Sequence, residues 1–277
     1  MSQQRADKLF TKGMDHMKPS FFKNKSDRLE KAITCFSEAS NLYYANGLYL
    51  DSSNAFRACA KAHLDNNNTY EAISNYSSSL RSLRKIDMFD EAITDIETIV
   101  NLSLPSGRLK SAAKHLEILA ELDPINSIEH KRVAIDYYEK DDCFSNANRL
   151  KYGLANELAL SDNSSEIQES ISIYNNLAIC YSENKNLIWD VPDCCFRSGL
   201  CYLKLGDMTH VWLNKYQNLY PIFANKYQCK FLQDVIETPD EFVNHVRNLD
   251  DHNTLCEWST SMLLSIKQRL STSLVEL

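Results

Sequence analysis

The stretch EKAITCFSEASNLY, residues 30–43, places its apolar side chains at helical spacing. Ala32, Cys35, Phe36, Ala39 and Tyr43 recur every three or four residues, which indicates one buried stripe along an α-helix. Alanine in such a stripe lets two helix axes approach closely, so a second helix can pack tightly against the first. The stretch therefore predicts a closely packed helix pair.

The opening of this stretch recurs farther along the chain. The element Glu30-Lys31-Ala32-Ile33 is echoed by Glu71-Ala72-Ile73 and by Glu91-Ala92-Ile93. The intervals of about 20 or 40 residues are those of one helix or one helical hairpin with its turn. We therefore expect an all-α fold, with a tetratricopeptide-like array of antiparallel helical hairpins over residues 1–205 and a small C-terminal helical bundle over residues 206–277.

Turn and capping signals support this division. Asp27 and Glu30 resemble a capping box in which Asp27 is the N-cap. Thr238 and Pro239 predict an N-cap followed by proline at the first helical position. Leu255, Trp258, Met262, Ile266 and Leu270 predict a final amphipathic helix that packs onto the C-terminal part. The predicted hairpin turns are Leu104-Pro105-Ser106-Gly107, Asp123-Pro124 and Gly206-Asp207.

The composition narrows the class of protein. A net charge of −7 argues against bulk nucleic-acid binding, and no apolar run is long enough to cross a bilayer. The N-terminus has no apolar segment of a secretory signal, so we expect a cytoplasmic protein. Nine cysteines without a C-x-x-C pair predict reduced thiols in the core and no metal site. Phosphate-binding and metalloprotease motifs are absent from the sequence, which predicts a non-enzymatic protein without a cofactor.

Residues 18–25 form a candidate membrane-contact loop. Phe21 and Phe22 follow a proline that interrupts helical structure, and Lys18, Lys23 and Lys25 surround them. Two apolar side chains surrounded by lysines suit weak, reversible contact with an anionic membrane. Burial of each Phe side chain contributes roughly 1.5–3 kcal/mol to the free energy of membrane binding. The alternative is that the two phenylalanines only join the first helices.

Basic residues cluster in the middle of the chain. Lys110 and Lys114 lie four residues apart and so share one helix face. Such a cluster is either a solvated helix face or a binding surface for an acidic partner. The other basic residues of this group are Arg84, Lys85, Arg108, Arg149 and Lys151.

Several segments, in one order over nearly the whole chain, resemble the soluble NSF attachment protein family, especially its alpha-type members. The most specific are the two nearest the C-terminus, where the Trp-x3-Met-Leu-Leu-x-Ile-Lys pattern is similar to the last long helix of the family. The segments are SFFKNKSDRLEKAITCFSEASNLY (20–43), NAFRACAKAHL (54–64), GRLKSAAKHLEILAEL (107–122), AIDYYEKDDCFSNANRL (134–150), KYQNLYPIFANKYQCKFLQDVIE (215–237) and LCEWSTSMLLSIKQRL (255–270).

The resemblance implies an adaptor that binds the acidic waist of a SNARE four-helix bundle through a basic concave face. Lys114, Arg108 and Arg149 match basic positions of the family, as does the pair Arg84 and Lys85. Gly153 and Pro192 stand where the family commonly has lysines, which implies a weaker or altered grip. The resemblance also implies that the loop at 18–25 contacts the membrane peripherally.

For the C-terminal end, the resemblance implies binding and stimulation of the ATPase NSF, which disassembles SNARE complexes. The family uses acidic residues and a near-terminal leucine for this contact. This tail lacks the acidic run usual before that leucine, which puts the strength of stimulation in question. The matching residues are Asp207, Glu237, Asp240, Glu241 and Leu274 or Leu277.

Two alternatives stay open. One is a gamma-type relative with a different SNARE preference, against which the terminal Trp-containing helix speaks. The other is a tetratricopeptide-like co-chaperone or scaffold that captures peptides, which would have no use for the Phe21-Phe22 loop.

Overall fold

The computed structural model describes residues 2–20, 24–252 and 254–275. These residues form fifteen α-helices and two short 3-10 helices, Ile188–Asp190 and Pro239–Glu241, and contain no strand. The all-α prediction is therefore confirmed. The α-helices are α1 (Ser2–Met17), α2 (Lys25–Ala45), α3 (Tyr49–Asp65), α4 (Thr69–Arg84), α5 (Phe89–Ser103), α6 (Leu109–Leu122), α7 (Ser127–Lys140), α8 (Phe144–Leu160), α9 (Ser164–Ser182), α10 (Val191–Leu205), α11 (His210–Leu219), α12 (Pro221–Ala224), α13 (Tyr227–Glu237), α14 (Phe242–His252) and α15 (Glu257–Val275).

The chain forms two compact units, Met1–Ala147 and Asn148–Leu277. In the first unit each helix packs against the next one along the chain, from α1 to α7. The second unit itself contains a helical hairpin, α9 with α10, before its shorter helices. The predicted change from hairpin array to bundle near residue 205 falls inside the second unit and stays a prediction.

The turns of the first unit repeat with a period of 20 residues. Gly47, Asn67, Asp87 and Gly107 each adopt a left-handed backbone, with φ between 54° and 73°. After each of them, the next N–H donates to a carbonyl five residues earlier, over 2.8–3.2 Å. This is the Schellman arrangement that ends a helix and reverses the chain. The predicted turns near residues 107 and 206 are confirmed, since Gly206 also has a positive φ of 84°.

Small residues follow the same 20-residue period inside the helices. Ala32, Ser52, Ala72, Ala92 and Ala112 are all completely buried. Each lies in the first two turns or so of its helix, where a small side chain allows close approach of the neighbouring axes. The close packing predicted from residues 30–43 is therefore confirmed.

One capping prediction is wrong. Helix α2 begins at Lys25, and Asn24 is its N-cap, with the Asn24 side chain accepting the Ser26 N–H over 2.9 Å. Asp27 lies in the first helical turn instead. There its negative charge interacts favourably with the N-terminal end of the helix dipole.

Helix α10 is the centre of the second unit. It packs against α9, α11, α12, α13 and α15, and its residues contribute much of a single apolar core. Gly199 lets α13 approach, because a Cβ at this position would lie 2.5 Å from Cδ1 of Leu232. Met262 and Ile266 of α15 are fully buried, which confirms the predicted amphipathic helix.

A polar cluster in the second unit joins four helices around Arg197. The Arg197 guanidinium lies over the ring of Trp258 at 4.2 Å and that of Tyr152 at 5.0 Å. It also donates to Asp193 over 2.9 Å and to the Asn156 side chain over 3.0 Å. These residues come from α8, α10 and α15. Tyr174 of α9 adds a fourth helix, because its hydroxyl donates to the Asn156 side chain. The cluster therefore holds α15 against the other three helices.

The cysteines are free thiols, and six of the nine are buried. Burial raises the pKa of Cys194 to about 12, so this thiol stays protonated and unreactive at neutral pH. The prediction of core thiols is confirmed for Cys35, Cys59, Cys194, Cys195, Cys201 and Cys229. Cys143 is half-buried, whereas Cys180 and Cys256 are exposed. None of the helices in the described ranges combines the length and the apolar character of a membrane span.

Candidate functional site

A groove with a basic rim lies between α4 and α6 in the first unit. Its volume is about 500 Å³. Leu80 and Ile118 provide apolar surface, and Ser77 provides a hydroxyl. The remaining side chains that line it are Arg81, Arg84, Lys85, Lys114 and His115.

Contacts along the whole length of α4 and α6 hold this groove in shape. Each contact joins residues 37 or 38 positions apart, so the two helices run parallel as equivalent members of successive hairpins. From the N-terminal to the C-terminal end the contacts are the Arg108 guanidinium over the Tyr70 ring at 4.3 Å, Ser77 Oγ to His115 Nε2 at 3.1 Å, and Arg84 to Glu121 at 3.3 Å.

His115 lies at the base of the groove and is largely neutral at pH 7. Burial lowers the pKa of His115, and the positive charge of Lys114 lowers it further. The Ser111 carbonyl, 2.8 Å from His115 Nδ1, opposes this effect. The positive charge of the groove therefore comes from the four Arg and Lys side chains rather than from the histidine.

The groove brings together three of the predicted basic residues, Arg84, Lys85 and Lys114. Lys110 is exposed one turn before Lys114, and Arg108 is the N-cap of α6. Arg149 and Lys151 lie on α8 in the second unit.

Arg81 also lines the groove, and the sequence reasoning missed it. The Arg81 guanidinium lies 5.2 Å from the centre of the Tyr44 ring, which ties α4 to α2. Its position could have been inferred from spacing, because Arg81 precedes Arg84 by three residues and so shares its helix face.

The ends of the candidate membrane loop are anchored to the first unit. Arg28 of α2 donates hydrogen bonds to the carbonyls of His16 and Lys18 at the end of α1. Lys18 pairs with Asp15 over 2.7 Å and is exposed, as is Lys25 at the start of α2. The remaining predicted loop residues, Phe21, Phe22 and Lys23, lie outside the described residues.

The predicted acidic residues of the second unit occupy two helix junctions. Asp207 accepts hydrogen bonds from the Thr209 N–H over 3.0 Å and from its hydroxyl over 2.6 Å, so it orders the turn before α11. Glu237 ends α13, and Asp240 and Glu241 follow in the 3-10 helix. These last three carboxylates are exposed.

The predicted leucines lie at the far end of the chain. Leu274 belongs to the last turn of α15, and Leu277 lies outside the described residues.

Comparison with known proteins places the chain in a family. The family model "Soluble NSF attachment protein, SNAP" matches residues 2–271. A human alpha-soluble NSF attachment protein is 26% identical over 88% of this chain and 86% of its own length. A bovine beta-soluble NSF attachment protein is 25% identical, covering 88% and 84%. A probable vesicular-fusion protein sec17 homolog from Schizosaccharomyces pombe is 28% identical, covering 88% of each chain. The chain thus belongs to the soluble NSF attachment protein family, whose members are adaptors and not enzymes.

Proposed function

We propose that this protein links a SNARE four-helix bundle to the ATPase NSF, so that ATP hydrolysis by NSF disassembles the bundle. The basic groove between α4 and α6 is the observation that carries the SNARE side of this proposal. The names of the related proteins, which are NSF attachment and vesicular-fusion proteins, support the NSF side.

The groove suits an elongated acidic partner. Arg81, Arg84 and Lys85 lie within about one and a half turns of α4, and Lys114 faces them from α6. Like charges held this close repel one another, and this repulsion destabilises the free protein. An acidic helix bound along the groove would reduce the repulsion. Arg84 already pairs with Glu121, but the two side chains are 44% and 63% exposed, respectively, and such a surface ion pair is weak enough to exchange partners.

Electrostatic attraction of this kind mainly sets the association rate and the salt dependence of binding. With a Debye length of about 8 Å at physiological salt, the groove charges act over roughly one helix diameter. We therefore expect SNARE binding that weakens steeply as salt is raised.

The NSF contact is proposed at the exposed carboxylates Glu237, Asp240 and Glu241, with Leu274 or Leu277 completing it. Asp207 has a different local role, because its carboxylate orders the turn before α11. A contribution of Asp207 to NSF binding would thus act through that turn as well as through its charge.

A charge-reversal experiment tests the SNARE side. The variant Lys85→Glu with Lys114→Glu reverses two groove cations, whereas Lys31→Glu with Lys61→Glu makes the same charge change at exposed lysines outside the groove. We expect the groove variant to lose capture of an assembled SNARE complex and the control pair to keep it. Equal capture by both variants would exclude the groove as the binding surface.

A second experiment tests the NSF side separately. Glu237→Lys with Asp240→Lys should reduce stimulation of NSF ATPase activity while leaving SNARE capture intact, because the substituted residues lie outside the basic groove. Unchanged stimulation would place the NSF contact elsewhere. Loss of both activities together with loss of helicity would indicate misfolding.

A further inference from the structure

The second unit contains another groove, between α14 and α15, whose chemistry differs from that of the basic groove. Its volume is about 210 Å³. Six of its nine lining residues are apolar, and two are cations. The lining residues are Phe242, Val243, Val246, Arg247, Leu255, Thr260, Leu263, Leu264 and Lys267.

Helical spacing gives this groove two regular walls. On α14 the lining residues are 242, 243, 246 and 247, and on α15 they are 260, 263, 264 and 267, so each helix presents one face. Phe242 and Leu263 are buried at its base. Val243 and Leu264 stay 43% and 56% exposed on opposite walls. Apolar side chains at these spacings form a hydrophobic groove that can bind the apolar face of an amphipathic helix.

The charges at the groove select the partner. Arg247 and Lys267 both line it and are exposed. Among the described residues, neither cation forms an ion pair. Two exposed cations beside an apolar floor repel a basic partner and attract an acidic one. An amphipathic acidic helix matches both features of the groove. Its leucine-like side chains would pack against the apolar lining, and its carboxylates would pair with Arg247 and Lys267.

We propose that the groove between α14 and α15 docks an amphipathic acidic helix of a partner protein. This groove shares no lining residue with the basic groove of the first unit. The proposed docking of a helix in it goes beyond the proposed adaptor function. Asp240 and Glu241 precede α14 and are not among the residues that line the groove.

A fluorescent peptide tests this inference on the full-length chain. The probe is a helix of about 16 residues with leucines at i, i+3, i+4 and i+7 spacing and glutamates beside them. A scrambled peptide of the same composition is the control for charge alone. We expect the first peptide to bind with the higher affinity, measured by fluorescence anisotropy.

Variants of the two walls and the two cations locate the binding. Leu264→Asp, Val243→Asp, and Arg247→Glu with Lys267→Glu should each weaken binding by about tenfold or more. Val211→Asp and Lys215→Glu change an exposed valine and an exposed lysine on α11, outside the groove, and should leave binding unchanged. A peptide with lysines in place of the glutamates should bind the charge-reversed protein better than the wild type.

Several results would overturn the proposal. Equal binding of the ordered and scrambled peptides would mean that only charge is sensed. Binding that is insensitive to both wall variants would place the peptide elsewhere. A groove variant that loses association with anionic vesicles but keeps peptide binding would make the groove a lipid contact. Concentration-dependent self-association that Leu264→Asp abolishes would make it an interface between copies of this chain.

Discussion

Trp258 donates its indole N–H to the backbone carbonyl of Asn156 over 2.8 Å, joining α15 to α8 across 102 residues of chain. The same indole ring lies under the Arg197 guanidinium and edge-on to Tyr174. The last helix is therefore held by a directional polar contact as well as by apolar packing. Since the proposed NSF contact includes the end of this helix, the cluster positions that contact.

Trp258→Phe should destabilise the protein by about 1–3 kcal/mol, because it leaves the Asn156 carbonyl without its donor and weakens the stacking on Arg197. Chemical denaturation followed by circular dichroism measures this loss. Trp189→Phe is the matched control, since Trp189 is 71% exposed and its replacement should change stability by less than about 0.5 kcal/mol. Equal effects of the two substitutions would mean that the cluster does not stabilise the unit.

Gly206→Ala should destabilise the protein more than Gly47→Ala does. Both glycines have positive φ, so each substitution introduces backbone strain of about 1 kcal/mol. Of the two positions, only 206 would bring the new Cβ against a side chain, with Nη2 of Arg269 at 2.5 Å. Arg269 also donates a hydrogen bond to the Lys204 carbonyl over 3.1 Å, so a displacement of its guanidinium would disturb this bond as well. Urea denaturation of the two variants gives the difference, and adding Arg269→Ala to Gly206→Ala should recover part of it.

The buried pair Arg57 and Asp95 predicts a pH-dependent stability. Arg57 Nε lies 2.7 Å from the Asp95 carboxylate, and the Asp95 side chain is 2% exposed. Burial raises the pKa of Asp95, and the hydrogen bond and positive charge of Arg57 oppose this shift. Arg57→Gln removes the compensating charge and should cost about 3–5 kcal/mol at pH 7.

The sign of the pH effect follows from the raised pKa. The folded state takes up the proton of Asp95 at a higher pH than the unfolded state, so the penalty of Arg57→Gln should shrink as the pH falls toward the folded-state pKa. Adding Asp95→Asn to Arg57→Gln should remove both the pH dependence and most of the penalty. A penalty of the same size from pH 7 to pH 4 would contradict this account.

Phe21→Ser with Phe22→Ser should lower association with anionic liposomes, because burying each phenylalanine contributes about 1.5–3 kcal/mol to membrane contact. Flotation of the protein with vesicles measures this. Phe89→Ser, at a 44% exposed phenylalanine of α5, is the control. Disassembly of soluble SNARE complexes should be unaffected by the loop substitutions, and a loss there as well would indicate misfolding rather than membrane contact.

Much of the first unit could be predicted from sequence because its geometry is local and periodic. Ala32, Ala72 and Ala92 mark the repeat in the sequence, and Gly47 and Gly107 mark its turns. Asn67 and Asp87 adopt the same left-handed turn backbone as the glycines, which asparagine and aspartate tolerate better than other residues. Asn67 and Asp87 can be recognised as turn positions equivalent to the two glycines only when the 20-residue period is applied strictly.

The arrangement around Arg197 could not be predicted, because its members come from separate helices and carry no spacing signal. The N-cap of α2 was misassigned for a different reason. Asn24 and Asp27 are both acceptable capping residues, and only the backbone conformation of Asn24 decides between them. The grouping of Arg84, Lys85 and Lys114 was predicted, whereas the ion pair between Arg84 and Glu121 requires the packing of α4 beside α6.

The most direct test of the adaptor proposal is reconstituted disassembly of a purified ternary SNARE complex by NSF and ATP. With wild-type protein we expect ATP-dependent disassembly, and without it we expect none. Lys85→Glu with Lys114→Glu should slow disassembly by about tenfold or more, whereas Lys31→Glu with Lys61→Glu should preserve the rate. Disassembly that proceeds equally well without this protein, or equally well with the groove variant, would contradict the proposal.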